Sequence, residues 1–439
     1  MVNNQQIKCD ITFSKKVQIY SHSLLKCCLY ISNSDASGYP FSKILFSKLI
    51  TSSKLMEDFL DFNGAKNNKQ WFYYRELAAS MLYLGMASYS QKHILNRLVF
   101  YKLDDTTDFV SEGDKNLLFL TDALQKIGPE LIREAGRLGI KQPDDYFKDD
   151  NFTSVITNEP LPNDISIDKK DQNRRRQQIV IIASDFLSIS RAFDQFGIFL
   201  ACTLEEIQKI VPDKVNEVEI RRYEMLVHNL QSAFDTYVVP GGLTSDNGKL
   251  KELRSHFSVV FHLLQLTGRL LHYYERHLHK SGYKNIYQET QEKLSALVNS
   301  DILLDRIVNY GLYYACHYLS TGRELAQEIL NANIIRTTLT AGIPVERGFH
   351  LRPSLLVSKI VQHYGGQVEL CVGDNHFDAS SVLDIQWAGG MIQKEGITRV
   401  TFKGDDRALK DIKILAARNY GEDTMGKDVP LPKELNYLR

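Results

Sequence analysis

The chain has 439 residues in which 53 basic and 53 acidic side chains cancel, which excludes a general polyanion binder and makes nucleic acid an unexpected partner. A hydrophobic share of 43% supplies enough material for two or three domains. Cys9, Cys27, Cys28, Cys202, Cys316 and Cys371 lack C-x-x-C spacing, the opening MVNNQQIKCD is polar, and no apolar run reaches membrane-spanning length, so a cytoplasmic chain without disulfides or membrane insertion is expected.

In chain order, Ile7, Cys9, Ile11 and Phe13 alternate with polar residues, and Val17 and Ile19 continue the pattern after Ser14-Lys15-Lys16, predicting a small hairpin. From Phe41 to Phe59, Tyr73 to Tyr101 and Lys115 to Leu138 the apolar period becomes helical. Residues 1–157 therefore read as a mostly helical N-terminal domain. Residues 158–177 hold two prolines and no periodicity and read as a linker, with Arg174-Arg175-Arg176 as a solvated helix start. Helices follow over Gln178 to Val211, Val215 to Val238, Gly248 to Lys280, Asn285 to Asn299 and Ile302 to Asn333. Their short connections predict an antiparallel helical bundle over 178–333.

Three signals in this region fail. His256, His262, His272, His277 and His279 suggest a metal, but His272 and His279, seven residues apart on one helix, are separated by about 10 Å along the axis. No metal site and no cofactor are expected. Gly241-Gly242-Leu243-Thr244-Ser245 resembles the Gly-Gly-x-Thr-Ser that precedes the phosphohistidine of enzyme I, but Asp246 stands in the histidine's place. Gly248-Lys249 lacks the Ser or Thr of a phosphate-binding loop, since Leu250 follows.

The C-terminal part reads differently. Ile334 to Leu339 predicts a strand, and Arg352 to Tyr364 a helix stopped by Gly365-Gly366. Val368, Leu370 and Val372 lead through Gly373-Asp374-Asn375 into a hairpin with His376 and Phe377. Ser380 to Ile385 predicts a short helix broken at Gly389-Gly390, Thr398 to Phe402 a strand, and Ala408 to Ala416 a last amphipathic helix. The order is βαββαβα. Just before its first helix stands Gly348-Phe349-His350-Leu351-Arg352-Pro353. A flexible glycine, an imidazole, a guanidinium fork and a proline suited to a first helical turn describe either a phosphorylatable histidine at a helix N-terminus or a loop histidine before an ordinary helix.

On this motif and element order, residues 334–422 resemble HPr, the histidine phosphocarrier of the bacterial phosphoenolpyruvate-dependent phosphotransferase system. The resemblance covers about a fifth of the chain. It implies an α+β open-faced sandwich after the helical region. It also implies a phosphoryl acceptor at His350, stabilisation of the transferred group by Arg352, and an enzyme I-type protein as donor. An EIIA-type or other protein would be the acceptor. The family's regulatory serine falls on Ser381, making an HPr kinase a candidate partner, although Asp378 and Ser380 depart from the family pattern there. Leu355, Val382 and Leu383 correspond to its partner-docking patch. Residues 423–439 extend beyond the resemblance as a tail.

Two functions follow. The chain is a phosphocarrier or phosphorelay regulator whose helical region reads the state of His350, for instance through self-association. Alternatively, the C-terminal fold is only a docking module on a helical scaffold, and His350 is never phosphorylated. A helical region hiding an enzyme is a third reading, for which no residue spacing speaks.

Overall fold

Apolar stripes three and four residues apart build the first helices. In α1 (Phe13–Asn33), buried Val17, Ser21, Leu24, Leu25, Cys28 and Ile31 line one face. The computed structural model describes residues 12–34, 41–152, 172–239, 248–279, 285–345, 347–422 and 431–438. Residues 1–11, which include the first strand of the expected hairpin, lie outside these, and α1 replaces the second strand. The alternation through Val17 and Ile19 loses to the longer helical stripe, which leaves Ile19 exposed.

Helices α2 (Lys43–Phe62) and α3 (Phe72–Leu98) follow near their expected bounds, whereas α4 (Thr107–Arg137) begins at Thr107 instead of the expected Lys115. α1 packs on α2 and α4, and α3 packs on the same two, closing a four-helix arrangement. Arg75 of α3 is buried beside Glu57, Asp61 and Glu76, with N–O separations of 2.7–2.9 Å. Three carboxylates around one guanidinium compensate a charge that would otherwise be costly to bury.

The expected linker lies outside the described residues up to 171, but from Gln172 it forms the first turn of α5 (Gln172–Phe193). The helix expected to reach Val211 is broken. Gly197 takes a positive φ of 69°, and Thr203 with Glu206 forms a capping box that starts α6 (Leu204–Ile210). Next come α7 (Glu217–Tyr237) and α8 (Gly248–Tyr273), the latter running on as a π-helical turn over Tyr274–His279. α9 (Asn285–Leu297), α10 (Ser300–Asp305), a second π-helical turn (Arg306–Leu312) and α11 (Tyr313–Asn333) complete the helical part. No described helix is long and apolar enough to cross a membrane.

The chain divides into two compact units. One gathers Met1–Asn163, Phe193–His228 and Ser255–Tyr318, and the other Asp164–Ala192, Asn229–Arg254 and Leu319–Arg439. Within the second unit lie β1 (Arg336–Gly342), α12 (Leu351–Tyr364), β2 (Val368–Val372), β3 (Asn375–Asp378), α13 (Val382–Glu395), β4 (Arg399–Asp405) and α14 (Asp406–Ala416). The four strands form one antiparallel sheet in the order β1-β4-β2-β3. Val368, Leu370 and Val372 alternate onto the face that α12, α13 and α14 cover, which sends Glu369 and Cys371 to the other face.

Helix α13 corrects the expectation of a break at Gly389-Gly390, since it runs through both and stops at Gly396, which has a φ of 66°. A Cβ on Gly389 would stand 2.9 Å from the Phe349 carbonyl oxygen. The glycine therefore serves close packing instead of termination. Of the tail, residues 423–430 lie outside the described part, whereas Leu435 and Leu438 are buried in the sheet's core. Tyr437 stacks on His363 at 3.8 Å and donates to Asp411 at 2.6 Å.

Helices α5 and α11 hold this sheet-bearing segment closely. Ser184 Oγ donates to the Tyr364 carbonyl and Gln327 Nε2 to that of Gly365, each at 2.6 Å, while Leu187 and Leu330 press on Gly365. Arg176 Nε donates at 2.9 Å to the Asn333 carbonyl at the end of α11, a favourable place for a cation. Three residues after Asn333 β1 begins.

Candidate functional site at the start of α12

Gly348, with φ 62°, turns the chain so that His350 enters α12 as its N-cap in extended conformation. The Ser354 N–H donates to the His350 carbonyl at 3.1 Å, and the His350 side chain makes no cap bond. Pro353 has no N–H to satisfy in this turn. The N–H groups of Leu351 and Arg352 find no acceptor among the described residues. They point outward from the positive end of the helix dipole, the usual arrangement for receiving an anion.

The imidazole of His350 is 34% exposed and its Nε2 hydrogen-bonds Oε1 of Glu422. Glu422 is itself largely enclosed, and its Oε2 has no partner among the described residues. A carboxylate at Nε2 can only accept, so in the neutral ring the proton sits on Nε2 and Nδ1 carries the lone pair. A left-handed turn delivers this carboxylate. Asn419, Tyr420 and Gly421 have φ values of 46°, 56° and 83°, a conformation that costs a non-glycine residue of order 1–3 kcal/mol. Its anchors offset the strain. Tyr420 is buried, donates to the Gly342 carbonyl at 2.8 Å and meets Phe349 edge-on at 5.1 Å, while Asn419 Oδ1 accepts from the Val345 N–H at 3.0 Å.

Arg352 is exposed and unpaired among the described residues. Leu351 and Leu355 of α12 and Leu383 and Trp387 of α13 are exposed, the last two by 75% each, with Val382 half-buried beside them in sequence. The expected docking residues thus fall on two neighbouring helices, and Leu351 and Trp387 join them. Ser381 sits apart in role: it is the N-cap of α13, its hydroxyl accepting from the Asp384 N–H at 3.2 Å. Glu422 and Trp387 escaped the sequence reading. Trp387 follows Leu383 at helical spacing, a signal hidden by the expected early break, whereas nothing local linked Glu422 to a histidine 72 residues away.

The other sequence signals resolve separately. His256 Nδ1 lies 2.9 Å from the Tyr318 carbonyl, His262 Nδ1 3.2 Å from Gln265, His277 Nδ1 2.6 Å from Glu76 and His279 Nδ1 3.3 Å from the Tyr274 hydroxyl. Each has its own partner, and His272 stands 2.9 Å from Glu217. Burial would raise the Glu76 carboxyl, but His277 and Arg75 outweigh it and hold it below the usual carboxylate range. Gly248-Lys249 opens α8, with Lys249 paired to Glu328 at 2.8 Å, and Gly241 to Asp246 lie outside the described residues. No family model, curated protein or solved structure matches this chain.

Proposed function

We propose that this chain is an HPr-like phosphocarrier or phosphorelay regulator that accepts a phosphoryl group on Nδ1 of His350. The reading is carried by the contact between His350 Nε2 and Glu422, which leaves Nδ1 as the free nitrogen at an uncapped helix N-terminus. In the transfer, the Nδ1 lone pair attacks phosphorus while the N–P bond of an enzyme I-type phosphohistidine breaks, its electron pair returning to the donor ring. The Nε2 proton stays in place beside Glu422, so no separate base is required. The N–H groups of Leu351 and Arg352 and the Arg352 guanidinium stabilise the equatorial oxygens. Return transfer to an EIIA-type or other protein reverses these steps.

The exposed leucines and Trp387 provide the surface on which donor and acceptor dock. A docking-only protein would use the same surface, but that alternative leaves the His350–Glu422 pair without a role. We assign Ser381 to capping rather than to an HPr kinase, because its hydroxyl is engaged and the carboxylates of Asp378 and Asp384 flank it in sequence. The helical region would sense the carrier's state through α5 and α11, which grip the segment around Gly365.

The test is incubation with phosphoenolpyruvate and enzyme I, followed by intact-mass measurement. One acid-labile phosphoryl group on the wild type and none on His350→Ala is the expected result. An unmodified wild type under conditions that charge an HPr control overturns the proposal.

A further inference from the structure

The outer face of the sheet carries a second constellation unconnected with His350. Cys371 on β2 pairs in register with His376 on β3, and Glu369 stands two residues before Cys371 on the same face. Directly opposed residues and i, i+2 neighbours project to one side of a sheet, so the three side chains converge. Sγ of Cys371 lies 3.6 Å from Nδ1 of His376, which lies 2.9 Å from a carboxylate oxygen of Glu369. All three potential ligand atoms lie within 4.8 Å of one another, and no other such group of three or more occurs among the described residues.

We propose that Glu369, Cys371 and His376 form a zinc-class metal site with a fourth position open to solvent. Two of the three separations suit this ion. A tetrahedral centre with sulfur at about 2.3 Å and nitrogen at about 2.0 Å places the two atoms about 3.5 Å apart, close to the spacing found. Nitrogen and oxygen ligands on the same centre would sit about 3.3 Å apart, so the imidazole and carboxylate need to open by only a few tenths of an ångström.

Ligand chemistry narrows the choice. One thiolate, one imidazole and one carboxylate are a borderline-soft set that suits Zn²⁺ and disfavours Mg²⁺ and Ca²⁺, which take oxygen ligands. Two anionic ligands neutralise a divalent ion, and the neighbouring cation across the strands is Lys403, the register partner of Glu369. The strand backbone holds the ligands before any ion arrives, while the Glu369 and His376 side chains are about half exposed, leaving a route for entry. Neither the core residues of β2 nor the α12 site takes part.

The experiment uses the reduced, chelator-treated full chain. Zn²⁺ affinity is measured by competition with a chromophoric chelator, and Co²⁺ is titrated as a spectroscopic stand-in. Thiolate ligation predicts a near-ultraviolet charge-transfer band that saturates at one equivalent, disappears in Cys371→Ser and survives an excess of Mg²⁺. Removing a ligand in His376→Gln or Glu369→Gln should weaken Zn²⁺ binding by at least about tenfold, the lower end of what loss of even a supporting group costs. His376 and Glu369 are exposed, so these variants test the site without disturbing the core. No cobalt–thiolate band in the wild type, or a band unchanged in Cys371→Ser, overturns the proposal. Phosphoryl acceptance by His350 should be the same in all three variants, which separates this test from that of the carrier function.

Discussion

Adjacent glycines in α13 should respond oppositely to the same substitution. Replacing a mid-helix glycine by alanine gains about 1 kcal/mol of helix propensity. At Gly390 a Cβ meets nothing within 4 Å, so Gly390→Ala should stabilise by about that amount. At Gly389 the new atom would stand 2.9 Å from the Phe349 carbonyl oxygen and 3.2 Å from Phe349 Cβ. Relieving such a contact against backbone costs about 1–3 kcal/mol, so Gly389→Ala should be neutral to destabilising by about 2 kcal/mol. The displaced group also matters for the site, because the Phe349 carbonyl accepts from Ser354 Oγ at 3.2 Å and its ring packs on Tyr420, which leads to Glu422. Native-state hydrogen exchange of α12 and α13 amides measures the local stability of each variant, and the charging rate by enzyme I measures the site. Equal protection gains in both variants would refute close packing of α13 on the residue preceding His350.

The remaining expectations concern the site and its surroundings. Glu422→Gln keeps shape but removes the carboxylate that orients Nε2–H, and should slow charging of His350 by about tenfold or more in rapid-quench assays, with unchanged circular dichroism. Arg352→Lys keeps charge but loses the planar fork, so phosphotransfer should slow while thermal unfolding is preserved; equal rates would remove Arg352 from the mechanism. Ser381→Ala should cost about 1 kcal/mol through loss of the α13 cap, read from urea unfolding. Acid should weaken the first unit. Burial, with His262, Lys43 and Arg97 nearby, holds His93 down to about 3, and burial with Lys43 and Arg97 holds His262 down to about 4. Both folded values lie below the unfolded value of about 6.5, so the unfolded chain binds more protons between them. Stability is complete above about pH 6.5 and falls as the pH drops towards about 3, and a His93→Phe, His262→Leu pair should flatten that slope in melting curves.

Elements whose burial repeats at a single period were legible in the sequence. The alternation of Val368, Leu370 and Val372 and the helical spacing from Leu356 to Val361 survive folding because one face of each enters the core. Local punctuation misled where tertiary packing changed its meaning. Gly389-Gly390 looks like a terminator, but one of the two is needed for proximity to Phe349, and the true stop is Gly396. The break at Gly197 was masked by continuous apolar residues, although Thr203 and Glu206 carried a capping signal. The motif placed His350 at its helix terminus. Its carboxylate partner was invisible because a buried tyrosine in a left-handed turn has no sequence signature and the contact closes over 72 residues.

The grip of α5 and α11 on the sheet-bearing segment bears on how it can be excised. A fragment beginning at Ile334 would keep all four strands and His350, yet strip Leu187 and Leu330 from Gly365 and release the carbonyls of Tyr364 and Gly365 from their donors. A recombinant piece starting there would carry a newly wetted scar on its back, and its solution behaviour would reflect the cut as much as the native segment.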